Sequence, residues 1–252
     1  APSRITAIAT DLGLGHRDSA ERPGYGLGYG VALVGLGMAP GADSAPAILM
    51  PRSGTYSRPL STAKVEAQQF FDQGLRYAWG FYFPESTASY LEAAKHDPTH
   101  PMIYWGLAHA LGPNPNSRYI GMPDDPQSEG LRAITRALKL IDNATPKEQD
   151  MINAMHVMYD KDSISDSKER DLAYLAAARK LQEKYTDDPD ITALYAAAYM
   201  NISRWNYWNK DGSPIGATGG IAGALEKSFK SYPDHPGTNH LYIHLMEASR
   251  SP

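Results

Sequence analysis

From Ser61 onward the apolar residues recur three and four positions apart, the spacing that puts one face of a helix against a core. Ser61 and Thr62 stand as caps for a helix running to about Tyr82, and Glu85–His96 carries the same period. Pro101 suits the first turn of another helix, to about Leu111, because its missing amide would have no partner there anyway. Four prolines and two glycines between Gly112 and Gln127 then mark a loop. Further helices are predicted at about 128–142, 147–159, 167–185, 190–203, 217–231 and 237–250, with loops at 160–166 and 204–216.

Residues 1–60 have no such period. Ten of the 22 glycines fall between Gly13 and Gly54, in runs such as Gly24-Tyr-Gly-Leu-Gly-Tyr-Gly30, and glycine disfavours helix. Val31–Leu36 suits one short strand. Gly35-Leu-Gly37 is no dinucleotide fingerprint, since no strand–turn–helix unit with a downstream acid surrounds it. The expected fold is therefore all-α, a helical-hairpin solenoid over 61–252 behind a Gly- and Pro-rich, mostly non-helical arm over 1–60. At least seven helices in antiparallel pairs, and almost no sheet after residue 60, are predicted.

Self-similarity supports the solenoid. Asp97-Pro-Thr-His-Pro101 recurs as Tyr232-Pro-Asp-His-Pro236, and Asp188-Pro189-Asp190 is a third version. Counting back from Pro98 gives Phe70, Gly74, Tyr77, Ser86, Tyr90 and Ala93: small residues let two helices approach, and large ones fill the space between. This pattern resembles the tetratricopeptide repeat. The stretch from Ser61 also resembles a family of bacterial tetratricopeptide proteins of unassigned function, on Phe71-Asp-Gln-Gly-Leu75, Tyr104-Trp-Gly-Leu-Ala-His-Ala-Leu-Gly-Pro-Asn114 and Asp234-His-Pro-Gly-Thr-Asn-His-Leu-Tyr-Ile-His244. Members tend to carry a paired histidine before the first helix, where this chain has Gly54-Thr-Tyr-Ser57.

The resemblance implies a concave groove lined by the first helix of each repeat. Its ligand-facing positions carry over to Gln68, Phe71, Leu75 and Ala78; to Met102, Trp105 and His109; to Ala196, Met200 and Ser203; and to Gly237, His240, His244 and Glu247. The groove is accordingly expected to present Phe71, Trp105, His109, Met200, His240 and His244. His240, His244 and Glu247, four and then three apart, share one helical face and suit a divalent transition metal, with His109 reaching across. The competing reading is that these histidines pack or are wetted on the groove wall, with Asn239 as a cap. His156 is expected in the core. Trp205, Tyr207 and Trp208 either plug the end of a helix pair or stack on a sugar or peptide.

Composition narrows the classes. With no cysteine there are neither disulfides nor thiolate metal sites. A net charge of -4, with Arg132, Arg136 and Lys139 interleaved with acids, lacks the basic stripe of a nucleic-acid binder. No run is long and apolar enough for a membrane span. A first residue of alanine fits a mature secreted or periplasmic chain. No serine–histidine–acid set or phosphate loop stands out. Three readings result: a solenoid binding a peptide, protein or glycan; a metal-binding protein or metal-dependent enzyme; and a self-assembling subunit. The last helix, with Leu241, Ile243, Leu245 and Met246 on more than one face, is expected to be covered by the arm, another subunit or further chain.

Overall fold

The computed structural model describes residues 47–62, 64–116 and 125–250. The expectations for the strand at 31–36 and for most of the arm lie outside these residues. The described residues form nine α-helices and no strand: α1 Val65–Trp79, α2 Phe83–His96, α3 Pro101–Leu111, α4 Pro126–Lys139, α5 Pro146–Tyr159, α6 Ser167–Lys184, α7 Pro189–Ser203, α8 Thr218–Ser231 and α9 Pro236–Met246. The all-α expectation holds for them.

Five of the nine begin alike. The N-caps His100, Asp125, Thr145, Asp188 and His235 each accept a hydrogen bond from a first-turn amide, and a proline follows each cap. The recurring junction is thus a start signal for α3, α7 and α9. Ser61 and Thr62, expected as caps of α1, do other work. The Ser61 hydroxyl meets His100 Nε2 at 3.0 Å, and Thr62 donates to Asp97 at 2.6 Å. Helix α1 begins only at Val65, with no side-chain cap.

Each helix packs on its neighbours in sequence, and α1 on α3, α3 on α5 and α7 on α9. The counting from Pro98 finds its physical basis at Tyr90, whose ring fills the gap between α1 and α3. A Cβ on Gly74 would stand 2.9 Å from that ring, and one on Gly106 would overlap it. The Ser86 hydroxyl donates to the Gly74 carbonyl at 2.7 Å, tying α2 to α1.

Unlike an open solenoid, the array closes, because α9 also packs against α1. Leu241 and Leu245 are fully buried, so the array covers these two itself, and of the four apolar residues Ile243 stands well exposed. Residues 47–62 run as a strap beside α1. The Gln73 amide accepts from the Met50 N–H (2.7 Å) and donates to the Ile48 carbonyl (3.0 Å). Gln68 does the same to the Leu60 N–H (2.7 Å) and the Arg58 carbonyl (2.9 Å). Two side-chain amides thus take the place of a neighbouring strand for the extended chain.

Candidate functional site

Three of the positions expected in a groove lie in the core. Phe71, Trp105 and Met200 have no exposed surface and belong to the core, so they do not line a groove as the resemblance implied. His109 is wedged between Trp79, whose ring centre lies 4.5 Å away, and Trp105, stacked at 5.4 Å. Burial holds its imidazole down to about 4, against the pull of Asp190. The buried His109 Nδ1 and Trp105 Nε1 have no hydrogen-bond partner among the described residues.

A fully buried polar centre forms around Asp190, which sequence reasoning did not single out. Its Oδ1 accepts from Trp79 Nε1 at 2.8 Å and His235 Nε2 at 2.9 Å; its Oδ2 accepts from the Tyr56 hydroxyl at 2.6 Å and Arg58 at 2.9 Å. Four donors occupy the sites a carboxylate offers. Arg58 also pairs with Asp188 at 2.9 Å, and Lys147 reaches Asp188 at 3.0 Å. Burial alone would raise the Asp190 carboxyl, but His235, Arg58 and Tyr56 outweigh it and hold the group well below the carboxylate range. Burial pushes the Tyr56 hydroxyl up, and Asp190 adds to it. The centre joins the strap to α1, α7 and the start of α9.

Asp190, His235 and Thr238 also form an acid–imidazole–hydroxyl series, with Thr238 Oγ1 3.2 Å from His235 Nδ1. All three have zero exposure. Their geometry is that of a cap, since the Thr238 amide donates to His235 Nδ1 at 3.0 Å and leaves Nε2 to serve Asp190.

The histidines of α9 point elsewhere. His240 Nδ1 meets the Trp79 carbonyl at 2.6 Å, and its Nε2 lies 3.0 Å from His244 Nε2. Glu247 follows the end of α9 and meets His244 at Nδ1, 3.4 Å away, the far side from His240. Among the described residues no three histidine, aspartate or glutamate side chains converge as a metal-ligand set. His109 does not cross to the pair: it meets the ring of Trp79, and His240 meets the carbonyl of that residue. Aromatic rings wall the pair in. Phe81 lies 4.3 Å from His240, and Trp205 lies edge-on to His244 at 5.3 Å. Phe81, Arg204 and Trp205 all have positive φ, 62°, 38° and 65°, a conformation non-glycine residues rarely hold without support.

Of the aromatic cluster after α7, Tyr207 is buried and the Trp208 indole donates to the Leu245 carbonyl at 2.7 Å, plugging the α7–α9 end. Trp205 keeps 42% of its surface exposed. His156, expected in the core, is only half-buried.

A separate cleft of about 740 Å³ opens beside the strap. Residues 55–59 and Ser61 form one wall, and the first turns of α5 and α7, with the residues leading into α9, form the others. Asp187 and Asp234 stand exposed on its rim, with Tyr232 beside them. Lys147, the base on this rim, is spent on Asp188. No helix of the described residues is long and apolar enough to cross a membrane. No protein-family model matches the chain, and comparison with curated proteins and with solved structures gave no match.

Proposed function

We propose that this chain is a tetratricopeptide-type binding module that holds an extended, basic peptide in the cleft beside residues 55–61. The repeat pattern and the Gly74–Tyr90 contact support the family reading. Phe71, Trp105 and Met200, expected to face a ligand, are buried in the core, which favours the cleft as the place of recognition. One observation carries the proposal. The array already seats an extended segment through side-chain amides that read only backbone, and that segment leaves an open cleft of about 740 Å³ against it.

The chemistry of the occupant follows from the rim. Asp187 and Asp234 are exposed there; Asp187 meets Lys227 at 3.1 Å in a fully wetted surface ion pair that a ligand can displace, whereas Arg58 and Lys147 are engaged by Asp188 and Asp190. A lysine or arginine side chain complements such a rim, and Tyr232 offers a flat apolar face beside it. Charges at a rim steer and select more than they tighten, so the expected affinity is modest.

Panning a displayed random-peptide library against the full chain tests this. Sequences with lysine or arginine should be enriched, and the D187N/D234N variant should bind them roughly ten-fold more weakly, about 1.4 kcal/mol. Enrichment of nothing, or equal binding by the double variant, rejects the reading.

A further inference from the structure

We propose that His240 and His244 form a two-histidine site for a divalent transition metal, with copper(II) held most tightly. The hydrogen bonds around the pair decide where the protons sit. A backbone carbonyl only accepts, so the 2.6 Å contact with Trp79 requires the proton of His240 on Nδ1 and leaves a lone pair on Nε2. A carboxylate likewise only accepts, so Glu247 favours a proton on Nδ1 of His244 and a lone pair on its Nε2. These two lone pairs face each other across 3.0 Å. An electrophile between them relieves this arrangement: a proton, which His244 supplies itself in its other tautomer, or a metal ion.

Three observations favour the metal. The outer partners are the kind that metal-binding histidines use, a backbone carbonyl and a carboxylate, each fixing tautomer and ring orientation. Phe81 and Trp205, held at positive φ, press on the imidazoles from the sides, which limits ring rotation and the water available to an added charge. The spacing fits as well. Two bonds of about 2.0–2.1 Å reaching nitrogens 3.0 Å apart subtend roughly 90–97°, the angle between adjacent positions of a square-planar or octahedral ion. Imidazole pairs at such an angle suit copper(II) and nickel(II), and copper(II) heads the affinity order of divalent first-row ions.

The site differs from the triad read in the sequence. Glu247 touches the far nitrogen of His244, so it orients a ligand without being one. His244 is partly exposed, and the remaining coordination positions fall to water or to a donor from a bound molecule. Binding displaces whatever proton the two nitrogens share.

Calorimetric titration of the full chain with copper(II), nickel(II) and zinc(II) chloride should show one site, tightest for copper(II). The H240A/H244A variant should lose about 100-fold or more in copper affinity and E247Q about 10-fold, while H156A should bind as the parent does. The copper(II) paramagnetic resonance spectrum should carry splitting from two imidazole nitrogens, reduced to one in H244Q. Equal binding by the parent and H240A/H244A overturns the proposal, as does a copper spectrum that H244Q leaves unchanged. Should H240A lose its helical circular dichroism, H244Q alone decides, because His244 is partly exposed and its hydrogen bonds reach only His240 and Glu247, close by in sequence.

Discussion

The Trp79 indole donates a 2.8 Å hydrogen bond to Asp190 Oδ1, joining the last turn of α1 to the first turn of α7 across 111 positions of sequence. The same carboxylate receives Tyr56, Arg58 and His235, so one buried anion gathers the strap, α1, α7 and the cap of α9.

Breaking this centre is expected to be expensive. Arg58→Ala leaves Asp188 and Asp190 without their buried cation, and removing one partner of such a group costs about 3–5 kcal/mol. Urea unfolding should show a lower midpoint at an unchanged slope. A midpoint within experimental scatter of the parent would mean that the centre contributes nothing to stability.

Acid should weaken the fold in two steps. His109 is held down to about 4 in the folded chain and titrates near 6.5 when unfolded, so the unfolded chain binds the proton first. Stability is therefore full above about 6.5 and falls as the pH drops to about 4, by roughly 3 kcal/mol. Asp190, also held low, adds a second loss below the ordinary carboxylate range. A His109→Leu variant should flatten the first window and leave the second; equal slopes for variant and parent would show that His109 is not the group responsible.

Two glycines should respond in opposite directions. Gly106→Ala drives a methyl into the Tyr90 ring and should cost about 1–3 kcal/mol. Gly223, inside α8, has nothing within 4 Å of the place a Cβ would take, so Gly223→Ala should gain about 0.5–1 kcal/mol. Thermal melts of the two variants measure both, and like-signed shifts would contradict the packing at Tyr90.

The strap should loosen when its amide clamp goes. Gln73→Ala removes both bonds to residues 48–50, beside the exposed Arg52. Trypsin is expected to cut after Arg52 faster in the variant than in the parent, while Arg58, followed by Pro59, stays uncut in both. Unchanged cleavage would show that Gln73 does not hold the segment.

The helices were legible in the sequence, because period and proline placement are local signals. The boundaries moved at Ser61, where two hydroxyls that suit a cap are taken by His100 and Asp97. The site was harder to read, for a reason that lies in the register. Reading Asp188-Pro189 as a version of Asp97-Pro98 equates Pro189 with a proline between helices, whereas it is the first residue of α7 and corresponds to Pro101 and Pro236. Aligning Tyr185-Thr-Asp-Asp-Pro189 with Tyr232-Pro-Asp-His-Pro236 shifts the frame by three residues and brings Asp190 to the place of Met102 and Gly237. That alignment was the available signal for the buried anion. The closeness of His240 and His244 followed from their spacing, whereas the reach of α9 back to Trp79 could not, since closure depends on small rotations accumulated over every helix pair.

Contact between α1 and α9 has a bearing on how this architecture varies. Open arrays tolerate the loss or duplication of a repeat, because each unit needs only its neighbours. Here the count of helix pairs is geometrically fixed: remove one, and Trp79 no longer reaches Asp190 or His240. Nor do the described residues leave a free tip from which unravelling could begin, so melting is expected as one event for their helices, and this set of contacts is complete only after α9 has emerged from the ribosome.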